Sequence, residues 1–80
     1  MSRARDPVLI AAFATALREL RLERRMTQED LASEAGVDRT FVGLLEGGQR
    51  QPSLSVIWAL ARALGHTPHK LVARVCELVS

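Results

Sequence analysis

Two sets of side chains in this 80-residue sequence have the types that chemistry demands. The first is His66, His69 and Cys76, nitrogen and sulfur donors of the kind that hold zinc. Cys76 lies two helical turns beyond His69, about 10 Å along the axis, too far to share one ion. The histidines and the cysteine therefore read as structural, and no metal or cofactor is expected. No nucleophile stands with a base, and no glycine-rich phosphate loop follows a strand, so no catalytic residue is assigned and no enzyme is expected. The second set is Arg39, Thr40 and Leu44. A guanidinium donates two parallel hydrogen bonds to a phosphate or to the O6 and N7 edge of guanine. A threonine reaches a phosphate or a thymine methyl, and an outward leucine can meet the same methyl.

Those three residues need a rigid support. Thr27 starts a helix, with Asp30 three residues on to complete a capping box. Leu31, Ala32 and Ala35 form its inner stripe. Gly36 ends it in the left-handed region, Val37 is expected as a buried pivot, and Asp38 is expected to cap the next helix. Val42 and Leu45 face inward there, which turns Thr40 and Leu44 outward. Two helices joined by so tight a turn make a helix-turn-helix, placed at about 28–47. The small Ala32 at the crossing, the glycine of the turn and three apolar locks all fall at the required spacing.

The rest of the chain reads as helix, giving an all-α bundle of about five. Asp6-Pro7 is a cap followed by proline at the first helical position. Leu9, Phe13, Leu17 and Leu20 follow as the inner stripe, and the helix runs to about Arg24. Gly47 to Ser53 is a loop. Ser53 caps a fourth helix with inner residues Leu54, Ile57, Ala61 and Leu64, ended by Gly65. Thr67-Pro68 opens a fifth, to about residue 79.

Composition fits one small globular domain: 48% hydrophobic, 25% charged, net charge +2. Ten of the eleven basic residues are arginine, and six of them (3, 5, 18, 21, 24 and 25) fall before residue 28. One cysteine permits no internal disulfide, and a reducing cytoplasm is the simplest compartment. The basic start and apolar run to Ala16 superficially match a signal peptide, but Asp6-Pro7 and the helical "LRELRLER" argue against cleavage. No apolar run is long enough for a membrane span.

"TQEDLASEAGVDRTFVGLLEGGQRQPSLSVIWALARALG" resembles the lambda-repressor-like, Cro-type helix-turn-helix family, also called the Xre family. The likeness runs from about Leu17 to about Leu71. The short length and "RLERRMTQEDLA…VDRTFV" further resemble controller proteins of restriction–modification systems. Members often carry serine near position 43 and a polar residue near 44, where this chain has Gly43 and Leu44. The resemblance implies a regulator that binds double-stranded DNA, acting by occupancy near a promoter. An antitoxin or other protein-interaction module on the same fold is the alternative.

On that resemblance the third helix enters the major groove N-terminal end first. Asp38, Arg39, Thr40, Gly43 and Leu44 then line the DNA face. Arg39 meets a guanine or, alternatively, a phosphate. Gly43 either gives room for close approach or weakens the helix. Gln28 is implied as a phosphate contact, Gln49 and Arg50 as backbone grips from the following loop, and Arg25 as a lesser one. Phe41 packs on the domain edge. Arg21 and Glu46 match a pair that links the first and third helices in relatives. A homodimer on a palindrome is expected, built by the wide apolar stripe Leu71, Val72, Val75, Leu78 and Val79, with Trp58 joining. The competing arrangement has the apolar start of helix one covering helix five within one chain. No membrane and no small-molecule ligand are expected.

Overall fold

The computed structural model describes residues 5–80, which fold into five helices: α1 (Pro7–Glu23), α2 (Gln28–Ala35), α3 (Arg39–Glu46), α4 (Leu54–Ala63) and α5 (Pro68–Val79). Arg3, counted above among the early arginines, lies outside the described residues, as does the start of the "MSRAR" segment.

Local chemistry explains four of the five starts. The Asp6 carboxylate accepts from the amides of Val8 and Leu9 at 2.9 and 3.2 Å, with Pro7 behind it. Thr27 and Asp30 close a full capping box: the Asp30 amide donates to Thr27 Oγ1 at 2.9 Å, and the Thr27 amide donates to Asp30 at 3.0 Å. Ser53 and Thr67 cap α4 and α5 through their hydroxyls. Asp38 stands at the start of α3, but its side chain makes no capping bond, contrary to expectation. The first amides of α3 are therefore not capped by the Asp38 side chain.

The core is aliphatic. Leu17, Leu20, Leu31, Val42, Leu45, Leu60, Leu64 and Leu71 are fully buried, with Phe13 the one aromatic ring among them. Two expected inner residues are exposed. Leu9 lies outside, and Ile10 takes the buried place one step on, because the face centred on Phe13, Leu17 and Leu20 continues back through Ile10. Leu54, the first residue of α4, also stands in solvent, since the helix is covered only from Val56 and Ile57 onward. Leu60, unassigned from sequence, is fully buried instead.

α5 lies along α1, and this is the most extensive helix pairing in the fold. Leu71 and Val75 are buried inside the chain by that packing. They are therefore core residues and not surface ones, a correction to the expected interface. Val72 and Leu78 remain 43% and 40% exposed, Val79 is similar, and Trp58 on α4 is 48% exposed. Arg74 locks the pair from outside, donating to Glu19 at 2.9 Å and Glu23 at 3.1 Å. Arg24, just past α1, donates to the Leu64 carbonyl at the end of α4. Gly65 follows with φ +75, and a side chain there would collide with the Arg24 guanidinium. The positive φ is what calls for glycine there, since the guanidinium is the mobile end of a long side chain and can move aside.

Candidate nucleic-acid interface

α2 and α3 are fastened from within. Leu31 and Ala32 of α2 meet Val42 and Leu45 of α3, all buried. Gly36 turns the chain at φ +74, a conformation that costs any side-chain-bearing residue. The Val37 amide then donates back to the Ala32 carbonyl at 3.0 Å. Val37 packs against the core but is only half-buried, not the sealed pivot expected. Its position at the rim of the turn leaves one side in solvent.

With that inner face fixed, the outer face follows from helical spacing. Asp38, Arg39 and Thr40 are exposed at the N-terminal end of α3. Leu44, one turn past Thr40, is half-buried and presents only part of its surface. Phe41 packs against the core edge, as read from the sequence. At Gly43 a Cβ would meet only Gln28 Oε1, at an ordinary 3.7 Å. The fold therefore has room for alanine there, and packing gives no reason for glycine.

Behind this face sits a chain of polar side chains. Arg21 donates from Nε to Glu46 Oε2 at 2.6 Å and from Nη2 to Oε1 at 2.9 Å. Its Nη1 donates to the Met26 carbonyl at 2.8 Å. The two side chains are only 10% and 4% exposed. The hydrogen bond to Glu46, with help from its charge, raises the Arg21 pKa against the opposing pull of burial. Gln28 Nε2 also donates to Glu46 Oε1, at 3.0 Å. Arg39 Nη1 in turn donates to Gln28 Oε1 at 3.2 Å. Gln28 thus faces inward and sideways as well as toward solvent, a bridging role that sequence reading missed. The available signal was that Gln28 and Arg39 each open one of two adjacent helices.

The structure brings Gln28, Arg39 and Gly43 together. Gln49 and Arg50 are exposed in the loop after α3, where the Gln49 amide donates to the Leu44 carbonyl at 2.9 Å. Arg25 is exposed in the α1–α2 turn with φ +57, unusual for a side-chain-bearing residue. Among the described residues, neither Arg25 nor Arg50 makes a side-chain hydrogen bond to another described residue. No group of three metal-binding side chains forms among the described residues.

Residues 17–71 match the HTH_3 family, described as Helix-turn-helix. The chain is 47% identical over 51 residues to an uncharacterized HTH-type transcriptional regulator of Methanothermobacter thermautotrophicus, covering 64% of this chain and 74% of that one. It is 38% identical over 61 residues to the control protein C.BamHI of Bacillus amyloliquefaciens, covering 75% of each. The crystal structure of the restriction-modification controller protein C.AhdI from Aeromonas hydrophila superposes with TM-score 0.75 at 45% identity, covering 78% of this chain and 94% of that one.

Proposed function

Since this chain belongs to the helix-turn-helix family, we propose that it is a sequence-specific regulator of transcription that binds a palindromic operator as a homodimer. The likeness to C.BamHI and C.AhdI extends the proposal to control of a restriction–modification system. The observation that carries it is the two-sided build of α3. Val42 and Leu45 have no exposure, while Arg39 and Thr40 at its N-terminal end are exposed. A helix held rigidly on one side and bearing a hydrogen-bonding fork on the other is what major-groove reading requires.

In this reading Arg39 reads a guanine, Thr40 and the accessible part of Leu44 meet a phosphate or a thymine methyl, and Gly43 admits the DNA closely. Gln28, Arg50, Gln49 and Arg25 meet the phosphate backbone and set the register. Asp38 stands beside these contacts as an acceptor, suited to the amino group of a cytosine and not to a phosphate. Binding, without catalysis, is the proposed activity, and the cytoplasm is its proposed compartment. No helix among the described residues is long and apolar enough to cross a membrane.

The dimer surface is now narrower than the sequence suggested. Val72, Leu78 and Val79 on α5 and Trp58 on α4 are its proposed members, joined by the exposed Val8 and Leu9 of α1. Leu9 and Val72 line one open groove of about 340 Å³, and Val8 and Leu78 line another. Pairing two copies there turns one short reading helix into two, with half-sites about 34 Å apart on one face of the duplex.

Selection of bound duplexes from a random pool tests all of this together. The expected result is an inverted repeat bound with a steep dependence on salt. Enrichment of no sequence, or binding indifferent to salt, would refute it.

A further inference from the structure

We infer that Arg74 is a positioning residue that sets how far α5 is rolled on α1, and so decides that Val72 and Val79 face outward for a second copy. This rests on the proposed homodimer. The need for such a residue lies in the apolar stripe of α5. At about 100° per residue, its members spread over an arc of about 160°, from Leu78 through Leu71, Val75, Val79 and Val72 to Cys76. The middle of that arc lies between Val75 and Val79. The buried pair is Leu71 and Val75, so α5 is seated about 40° off the middle. Burial of apolar surface on its own favours the centred seat, which would draw Val72, Val79 and Cys76 partly out of water within one chain.

Arg74 opposes that roll. It stands just outside the arc, beside Leu78, and its Nη1 donates to Glu19 at 2.9 Å and to Glu23 at 3.1 Å, two carboxylates four residues apart on α1. Centring the arc would carry this edge of the helix away from them by about 4 Å at its rim, enough to break both bonds. Among the described residues, no other α5 side chain hydrogen-bonds to another helix. A polar contact of this kind selects one seat among several that apolar packing tolerates. The clamp is also within reach of solvent, with the Arg74 side chain 22% exposed and those of Glu19 and Glu23 45% and 56%. Dissolved salt therefore screens it. A dimer interface of valine, leucine and tryptophan is not itself weakened by salt. A dimer that depends on the clamp is.

The test is sedimentation of the full chain over a dilution series, without DNA, at low and high sodium chloride. The wild-type dimer is expected to loosen as salt rises. Arg74→Met, which keeps length and loses the charge, is expected to raise the dimer dissociation constant by about fivefold at low salt and to remove the salt dependence. Urea unfolding confirms that this variant folds. Cys76 is the sole cysteine and is exposed, so its rate of alkylation in the diluted monomer reports the roll. That rate is expected to fall in Arg74→Met, as the centred seat draws Cys76 inward. A folded Arg74→Met that dimerises like wild type, or an alkylation rate that is unchanged or faster, would overturn the inference and leave the dimer standing. A wild-type dimer that ignores salt, or tightens with it, would overturn the inference without any variant. A wild type that stays monomeric at micromolar concentration would overturn the dimer reading and the inference with it.

Discussion

Removing Glu46 alone is expected to be among the most damaging single changes outside the apolar core. In the wild-type fold the Arg21 guanidinium donates three bonds, two of them to Glu46. Glu46→Ala leaves a cation and two donors in a site where the Arg21 side chain is only 10% exposed. Stranding one partner of a buried pair costs about 3–5 kcal/mol. The bond that survives, to the Met26 carbonyl, favours the lower end. A domain of this length has roughly 4–12 kcal/mol in total, so the variant should unfold at a far lower urea concentration than wild type, with a similar slope. Arg21→Met with Glu46→Leu removes both charges and fills the space, and is expected to cost less than half as much. Because the pair is shielded, the loss should barely change between low and high salt. Urea unfolding followed by circular dichroism at two ionic strengths measures all of these. A single-variant cost below about 1 kcal/mol, or a double as costly as the single, would refute a pair held out of water.

Arg50→Ala should weaken every DNA sequence alike and lower the salt slope by about one, whereas Arg39→Ala should relax the preference at one base pair; anisotropy titrations against salt separate the two. Leu78→Asp should give a folded monomer by sedimentation that keeps only weak half-site binding, while Val75→Asp, placed in the core, should fail to fold. A monomeric wild type that binds a half-site as tightly as a palindrome would refute the dimer. Backbone and side-chain bonds with Thr27 hold the Asp30 carboxyl below its usual pKa. Its share of stability is then present above the ordinary carboxylate range and lost as pH falls below it, so Asp30→Asn should flatten the acid limb of a stability–pH curve. Gly65→Ala should destabilise chiefly through its φ of +75, so Arg24→Ala should rescue little of the loss in urea unfolding.

Helix starts were legible because capping is local: Asp6, Thr27, Ser53 and Thr67 all do what their types and neighbours suggest. The turn at Gly36 was legible for the same reason. The Arg21–Glu46 pair was legible only through resemblance, because nothing local to either residue names a partner 25 positions away. Errors arose where periodicity meets a boundary. Leu9 lies one step off the buried face that runs through Ile10, and Leu54 lies in a terminal turn ahead of the covered part of α4. Leu71 and Val75 were assigned to a surface because one apolar stripe served two purposes, and only the α1–α5 packing shows which residues serve which. The Arg74 clamp had a partial signal in Glu19 and Glu23, four apart on one face of α1, but their cation lies on another helix.

α1 has one more property. Its last full turn holds Arg21, and so the third helix; its first turn carries Val8 and Leu9, on the surface proposed for a second copy. Seventeen residues of helix make a beam roughly 25 Å long between those two points. Arg74 stiffens that beam from outside. The proposed dimer, built on such beams, would work as a caliper with fixed jaws. One added base pair between half-sites swings the far half-site by about 35° around the duplex. Rigid jaws could not follow that swing, so on the proposed dimer operator spacing would be as strict a requirement as operator sequence.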